Sequence, residues 1–70
     1  MKSKVRMYRK MMDLTQRDLA RDLKIARQTI VAIEQGHYNP SLEIAFRLST
    51  FFGVPVEELF VYEPPVWMKK

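Results

Sequence analysis

Apolar residues recur along the chain with the spacing of helices, at intervals of three and four residues. Val5, Tyr8 and Met12 follow this spacing and predict a first helix over about residues 3–12, with Met12 directed into the core. Asp13 is expected to end this helix, because Asp tolerates the left-handed backbone conformation found at many helix ends.

Two short helices joined by a tight turn follow. Thr15 and Asp18 have the spacing of a capping box, in which each side chain binds the other residue's backbone amide, and they open a second helix. A third helix is predicted over about residues 27–35 and ends at Gly36, while residues 24–26 form the turn. The buried face of the second helix consists of Leu19, Ala20 and Leu23.

The next part of the chain predicts a longer helix and a short helical turn. Ser41 caps a fourth helix over about residues 42–52, and Gly53 ends it. Pro55 then begins a short fifth helix over residues 56–59. The positions of the fourth helix expected to face inward are Leu42, Ala45, Leu48 and Phe52.

The tail that follows has a different pattern. Residues 60–62, Phe-Val-Tyr, are the one stretch that alternates as a strand, and we expect them to pair with the first residues of the chain. Pro64 and Pro65 would end this strand, since proline cannot donate a backbone hydrogen bond to a sheet. Together these elements predict an all-α fold of five helices, formed by residues 1–70 as one domain, with a short β strand in the tail.

Composition limits the chemistry available to the chain. There is no Cys and one His among 70 residues, so neither disulfides nor thiolate metal sites are expected. No enzymatic activity, cofactor or small-molecule ligand is indicated. The chain lacks both an apolar run of about 18 residues that would span a membrane and the apolar core of a signal peptide. These features predict a soluble, cytoplasmic protein.

Positive charge is concentrated in the first part of the chain. Residues 1–27 contain nine Lys or Arg and three Asp, whereas residues 28–70 contain three Lys or Arg and five Glu. The net charge of the first region is therefore +6 and that of the second is −2, which gives +4 for the whole chain. A basic region of this kind is typical of surfaces that bind nucleic acid, although an ordinary solvated helix surface has a similar composition.

The outward side of the third helix has an unusual composition. It consists of Arg27, Gln28, Val31, Ala32 and Gln35. A solvated arc usually carries Lys and Glu, whereas this one has no acidic residue and nothing bulky. Gln can bind the edge of adenine, Arg that of guanine, and Val or Ala a thymine methyl group. The arc suits a DNA major groove, although a plain surface with sparse charge is equally compatible with it.

Residues 14–60 resemble the XRE/Cro-like, phage-repressor type of helix-turn-helix family, and with the first helix the resemblance covers about residues 5–60. The motifs that carry it are Leu14-Thr15-Gln16, Leu19-Ala20, Arg27-Gln28-Thr29-Ile30, Ile33-Glu34, Gly36, Asn39-Pro40-Ser41-Leu42 and Gly53-Val54. They are similar to short stand-alone bacterial regulators without an effector domain. The resemblance implies a homodimer that binds an inverted-repeat operator in double-stranded DNA and represses transcription.

The resemblance also implies roles for individual residues. The base-facing positions are Arg27, Gln28, Val31 and Ala32, with Gln28 as the main reader. The positions implied to contact phosphate are Gln16, Arg9, Tyr38, Asn39 and Ser41. Gln16 is further expected to support Gln28, and Arg9 and Glu34 match an ion pair that joins the first and third helices.

Four positions depart from the residues that the family usually has: Lys24, Ala26, Val31, which replaces an often polar residue, and His37, which replaces a frequent Lys. Lys24 stands where the turn commonly has Gly, so left-handed backbone strain of about 1 kcal/mol is expected. Ala26 stands where Ser or Thr usually caps the third helix, which forfeits about 1 kcal/mol. None of these departures contradicts the fold, but together they make the operator hard to infer from relatives.

Apolar residues outside the predicted core suggest a subunit contact. Ile44 and Phe51 lie on one side of the fourth helix, and the tail is apolar through Val61, Tyr62 and Trp67. We expect these five residues to form the dimer interface, with Trp67 folded over its own or the partner subunit. The alternative for Ile44 and Phe51 is a wide core face that packs on the fifth helix.

Two other functions stay open at this point. An antitoxin-like protein, which binds a toxin and regulates its own gene, is favoured by the apolar Pro-Pro-Val-Trp tail. A protein that lies on a membrane surface is favoured only by the basic N-terminus. The second alternative is weak, because the remaining helices are expected to fold back into a globule.

Overall fold

The computed structural model describes residues 1–69. Its elements are β1 (Lys2–Ser3), α1 (Val5–Met11), α2 (Gln16–Leu23), α3 (Arg27–Glu34), α4 (Leu42–Phe52), α5 (Val56–Leu59) and β2 (Phe60–Val61), followed by a 3₁₀ turn over Val66–Met68. The predicted fold class, all-α with a short strand in the tail, is confirmed. The predicted three-residue turn between the second and third helices is also present, since α2 ends at Leu23 and α3 begins at Arg27.

The two strands form a small antiparallel sheet that joins the beginning of the chain to the tail. Lys2 pairs with Val61 and Ser3 pairs with Phe60. The predicted pairing of the tail with the first residues of the chain is therefore confirmed. The strand in the tail ends at Val61, so the prediction that Tyr62 belongs to it was wrong. The buried side chain of Phe60 anchors β2 to the core. The backbone groups of β2 form hydrogen bonds with those of β1.

The first helix is shorter than its apolar spacing predicted. Residues 2 and 3 are extended because they belong to β1, and the amide of Lys4 donates to the carbonyl of Leu59 at 2.7 Å. The helix therefore begins at Val5 instead of residue 3. Pairing with a distant segment overrides local helical preference here, as often happens to the ends of helices.

Four helices end at residues in the left-handed backbone region. Asp13 and Lys24 both have φ of 56°, while Gly36 and Gly53 have φ of 76° and 69°. Glycine adopts this conformation without strain, whereas Asp and Lys pay about 1 kcal/mol. The strain predicted at Lys24 is thus present, and the predicted helix end at Asp13 is confirmed.

The core lies between the faces of all five helices and includes one strand residue. Its buried apolar residues are Val5, Leu19, Ala20, Leu23, Ile30, Ile33, Ala45, Leu48, Leu59 and Phe60. Met12 was wrongly predicted to be part of it, since its side chain is 50% exposed. Met12 forms the C-cap of α1, beyond the last helical turn, where the chain turns away from the core.

The buried stripe of α4 is rotated relative to the prediction, by about 50° on the helical wheel. Leu42 was expected inside but is 71% exposed, and Phe46 on the same side is 55% exposed. Ile44 and Phe51 instead pack against the core of their own chain, and Phe51 contacts Phe52 edge-to-face at 5.2 Å between ring centroids. This packing supports the alternative of a wide core face, in which both side chains are partly buried.

The tail beyond β2 does not fold over the core of its own chain. Trp67 is 82% exposed, so one of the two positions expected for it is wrong. Val66 and Met68, its neighbours in the 3₁₀ turn, are also exposed. Within the described residues, every helix is too short or too polar to cross a bilayer.

Candidate nucleic-acid interface

The beginning of α2 is fixed by a complete capping box. The amide of Asp18 donates to Thr15 Oγ1 at 3.0 Å, and the amide of Thr15 donates to Asp18 Oδ2 at 3.1 Å. Hydrogen bonding from the backbone amide of Thr15 to the carboxylate, and then from the side chain of Thr15, holds the pKa of Asp18 below its ordinary value. The box places Gln16 in the first turn of α2, where it faces the neighbouring α3.

The turn between α2 and α3 is held by backbone hydrogen bonds and one apolar contact. The amide of Ile25 donates to the carbonyl of Ala20 at 3.0 Å, and that of Lys24 donates to Arg21 at 3.2 Å. Ile25 packs against the core beneath the turn. Ala26 forms the N-cap of α3 without a side-chain hydrogen bond, which confirms the predicted loss of a cap. The turn therefore fixes the angle of α3 although α3 lacks a capping side chain.

A buried ion pair joins α1 to the end of α3. Arg9 Nε donates to Glu34 Oε2 at 2.7 Å, and Arg9 Nη2 donates to Glu34 Oε1 at 3.0 Å. The two side chains are only 10% and 4% exposed. The hydrogen bond to Glu34 raises the pKa of Arg9 above its ordinary value, against the opposing effect of burial. Arg9 also donates through Nη1 to the carbonyl of Leu14 at 2.8 Å.

This geometry bears on two roles expected for single residues. All three guanidinium nitrogens of Arg9 bind groups of its own chain, so the expected contact between Arg9 and phosphate finds no support. Gln16 Nε2 donates to Glu34 at 3.2 Å, and Gln16 Oε1 accepts from Arg27 Nη2 at 3.3 Å. Gln16 thus supports Arg27 in this structure, where the sequence led us to expect Gln28.

The residues expected to read bases lie along one side of α3. Arg27 and Gln28 are exposed in its first turn, while Val31 and Ala32 are half-buried one turn further along. Ile30 and Ile33 are buried on the opposite side of the helix. Charged and amide groups therefore lie at the end of α3 nearest α2, and small apolar groups follow them.

The loop before α4 brings further polar groups to the surface. Tyr38, Asn39 and Ser41 are all exposed. Ser41 Oγ accepts a hydrogen bond from the amide of Ile44 at 3.2 Å and caps α4, as predicted, which leaves its hydroxyl proton available to another acceptor. Among residues 1–69, no group of three His, Cys, Asp or Glu side chains could hold a metal ion.

Two adjacent helices with a fixed angle, the second presenting a polar outward side, are the arrangement of a helix-turn-helix. The model of the helix-turn-helix family matches residues 5–59, which contain all five helices. The chain belongs to this family. It is a regulator of transcription of the XRE type that binds double-stranded DNA, and it is not an enzyme.

Relatives of this helix-turn-helix regulator come from several organisms. An HTH-type transcriptional regulator of Methanocaldococcus jannaschii is 54% identical over 63 residues, which cover 90% of this chain and 96% of the relative. One from Archaeoglobus fulgidus is 34% identical over 71 residues and covers 100% of both chains. The cryptic phage CTXphi transcriptional repressor RstR of Vibrio cholerae is 39% identical over 57 residues, covering 81% of this chain and 51% of the repressor. The resemblance to XRE/Cro-like regulators is confirmed.

Sequence reasoning missed two basic residues of this helix-turn-helix regulator. Lys10 and Arg17 are exposed and line a shallow depression beside Gln16 and Arg27. The signal was present in the charge of residues 1–27, but charge counting does not show which cations line this depression. Lys10 and Arg17 are therefore open to solvent beside Gln16 and Arg27, whereas Arg9 is buried.

An apolar surface lies elsewhere on the regulator. A groove of about 200 Å³ is lined by Met1, Pro40, Leu42, Ala45, Val56 and Phe60. Of the residues predicted for a dimer interface, Val61, Tyr62 and Trp67 are exposed, whereas Ile44 and Phe51 are only partly so. The exposure of Leu42, which lines this groove, was not predicted, because the spacing of apolar residues in α4 placed its side chain inside.

Proposed function

We propose that this regulator is a repressor that binds an inverted-repeat operator as a homodimer, with α3 of each subunit in a major groove. The observation that carries the proposal is the outward side of α3, which combines Arg27 and Gln28 with the short side chains of Val31 and Ala32. Short side chains allow a helix to approach base edges closely, and the amide and guanidinium groups supply directional hydrogen bonds. The fixed turn from α2 supports the insertion of α3 at one angle.

The roles of the contacting residues follow from their positions. Gln28 is proposed to read a base, with adenine as the best match to its paired donor and acceptor, and Arg27, Val31 and Ala32 contact neighbouring base pairs. Gln16 and the loop residues Tyr38, Asn39 and Ser41 contact the phosphate backbone. Exposure of all three loop side chains supports this division, because phosphate contacts position a protein on DNA while base contacts give specificity.

A homodimer is proposed because one recognition helix reads too few base pairs for a specific operator. Two copies of α3, spaced by one turn of DNA or about 34 Å, double the base contacts. The exposed apolar residues suited to the two-fold contact are Leu42, Phe46, Val61, Tyr62 and Trp67, together with the groove that includes Met1 and Val56. This surface differs from the predicted one in α4, where Ile44 and Phe51 contribute chiefly to the core.

Repression is the regulatory outcome that this arrangement supports most directly. A DNA-bound dimer blocks other proteins from the same site, and this requires no further domain. One relative is described as the transcriptional repressor of a cryptic phage, which is in keeping with this role.

A second function is favoured by one observation. Val66 and Trp67 are 85% and 82% exposed, so the tail presents an apolar surface that a different protein could cover. An antitoxin-like regulator would use this tail to bind a toxin and would still bind its own operator. Measurement of the molecular mass of the purified protein in solution separates the two functions. A dimer of this chain alone covers the tail without a second protein.

The test of the proposed function is selection of bound duplexes from random DNA at a stated salt concentration. A consensus with two-fold symmetry, whose half-sites are centred about 10 base pairs apart, is the expected result. The double substitution Arg27→Ala and Gln28→Ala should abolish enrichment of that consensus but leave weak, salt-sensitive binding to any duplex. Enrichment of no sequence, or of one without symmetry, would contradict the proposal.

A further inference from the structure

Four polar side chains form a hydrogen-bonded connection from the buried end of α1 to the exposed beginning of α3. Arg9 donates two hydrogen bonds to the carboxylate of Glu34, at 2.7 and 3.0 Å. Glu34 Oε1 also accepts from Gln16 Nε2 at 3.2 Å. Gln16 Oε1 in turn accepts from Arg27 Nη2 at 3.3 Å. The connection therefore begins at an ion pair that solvent hardly reaches and ends at a residue on the outward side of α3.

The direction of hydrogen bonding in this connection is determined by Glu34. An ionised carboxylate only accepts hydrogen bonds, whereas the amide of Gln has a donor end and an acceptor end of nearly the same shape. The NH₂ end of Gln16 therefore has to face Glu34, and its carbonyl end has to face away. Arg27, which has only donors, then meets the one end of the amide that can accept.

We propose that Glu34 is a positioning residue for DNA recognition. Its carboxylate orients the amide of Gln16, which in turn holds the guanidinium of Arg27 at the DNA-facing end of α3. The inference rests on the proposed reading of DNA by α3 and gives Glu34 a task beyond its ion pair with Arg9. A guanidinium that is held in place before binding loses less side-chain entropy when it meets a base or phosphate.

An exchange of chemical groups separates this role from a purely structural one. Glu34→Gln keeps the size of the side chain but can present either end of an amide, so the orientation of Gln16 is no longer determined. The exchange variant, Glu34→Gln with Gln16→Glu, returns an obligatory acceptor to Arg27 while Arg9 still lacks its buried carboxylate. Recovery in the exchange variant therefore reports on positioning, since a lost ion pair with Arg9 is not repaired.

The first measurement uses the free, folded protein and needs no DNA. Nuclear magnetic resonance of the ¹⁵N-labelled chain follows the side-chain amide of Gln16 and the Nε–H group of Arg27. We expect Glu34→Gln to shift the Gln16 amide signals and to lower the order of the Arg27 guanidinium, and the exchange variant to restore that order. An Arg27 side chain equally ordered in the wild type and in Glu34→Gln overturns the inference, whatever the protein binds.

The second measurement asks how much Arg27 contributes to DNA affinity in each background. The probe is the duplex enriched by the wild-type protein, and the readout is the ratio of affinities with Arg27 and with Arg27→Ala. We expect a ratio of about tenfold in the wild type, about threefold or less in Glu34→Gln, and near the wild-type ratio in the exchange variant. A general loss of folded protein affects both members of each pair and cancels from the ratio.

Arg9→Lys is the matched control for both measurements. It replaces the bidentate ion pair with a weaker single contact but leaves the carboxylate of Glu34 facing Gln16. The contribution of Arg27 should therefore stay near its wild-type value. A reduction as large as that of Glu34→Gln would show that only the ion pair matters and would overturn the inference. Failure of the wild type to enrich any duplex would contradict the proposed function instead, and the resonance measurement still decides the role of Glu34.

Discussion

The polar surface around Gln16 and Arg27 differs from the exposed apolar surface of α4 and the tail in how its side chains are held. On the first surface, the side chains of Gln16 and Arg27 are connected through hydrogen bonds to the ion pair of Arg9 and Glu34. On the second, large apolar side chains project without such connections, and Trp67 is 82% exposed. One region of the molecule is thus prepared for directional contacts, and the other offers apolar area.

The difference reflects the chemistry of the two expected partners. Hydrogen bonds to base edges and phosphates depend on angle and distance, so side chains that are already oriented gain affinity and specificity. Apolar association depends mainly on the area removed from water and tolerates imprecise side-chain positions. A buried ion pair is a poor source of stability compared with apolar packing, but it gives its neighbours a defined hydrogen-bonding direction.

The largest expected effect is on the ion pair that organises the polar surface. Arg9→Met should lower the free energy of unfolding by about 3–5 kcal/mol, because it leaves the charge of Glu34 buried without its partner. Urea denaturation at neutral pH measures the change. Arg17→Met removes the same charge from an exposed position and should change stability by less than about 0.5 kcal/mol. Equal losses in the two variants would mean that Arg9 does not compensate the buried charge of Glu34.

The next effect concerns base reading on the same surface. Gln28→Ala should weaken binding to the selected duplex by about 1–3 kcal/mol and relax the preference at one base pair in each half-site. Competition binding against a panel of single-base variants measures both quantities. Gln35→Ala removes the amide of the residue that caps the other end of α3 and serves as the control. If Gln28→Ala kept the complete preference profile of the wild type, Gln28 would not be a reader.

A smaller effect is expected when the apolar surface is reduced. A chain that ends at Glu63 retains β2 but lacks Val66, Trp67 and Met68. Its dimer dissociation constant should rise about tenfold or more, since burial of one large apolar side chain contributes about 1.5–3 kcal/mol. Sedimentation equilibrium measures the constant.

The control for this truncation is a substitution outside the apolar surface. Met11→Ser removes a side chain that is 71% exposed on α1 and should leave dimerisation unchanged. A shortened chain with the wild-type dissociation constant and DNA affinity would exclude the tail from the interface. The comparison between a polar and an apolar binding surface would then rest on Leu42 and its neighbours alone.

The smallest effect is a pH dependence at the beginning of α2. Hydrogen bonds from Thr15 lower the pKa of Asp18, so ionised Asp18 stabilises the folded state above its ordinary pKa of 3.8. This contribution is lost as the pH falls through the lower value of the folded state. Asp18→Asn should therefore be less stable than the wild type at neutral pH but not in strong acid. Thermal unfolding across this range measures the difference, which should shrink in a Thr15→Ala background.

Local sequence signals were sufficient for the elements that rely on near neighbours. The capping box of Thr15 and Asp18, the cap at Ser41 and the helix end at Gly36 all depend on residues within a few positions of one another. Their geometry follows from backbone hydrogen bonds and allowed φ angles, which a short stretch of sequence specifies. The spacing of α2 and α3, and with it the helix-turn-helix, could therefore be predicted without a structure.

The polar network could be predicted only in part. The pair of Arg9 and Glu34 was expected from the resemblance, and Glu34 lies at the edge of the inner side of α3. The bonds from Gln16 to Glu34 and Arg27 depend on the angle at which α2 crosses α3. A shift of less than about one ångström can make or break a hydrogen bond. Residue spacing does not give the relative positions of side chains on two helices to that accuracy.

The sequence by itself determined the family, the five helices, the turn between α2 and α3, and the concentration of positive charge before residue 28. Tertiary structure decided which side of α4 is buried, so that Leu42 rather than Ile44 faces outward. It also decided that Ser3, which was predicted to begin the first helix, pairs with β2 instead. The reason is the same in both cases. An amphipathic pattern indicates which residues prefer burial, but the neighbouring elements determine which of these residues are packed and which backbone segments are paired.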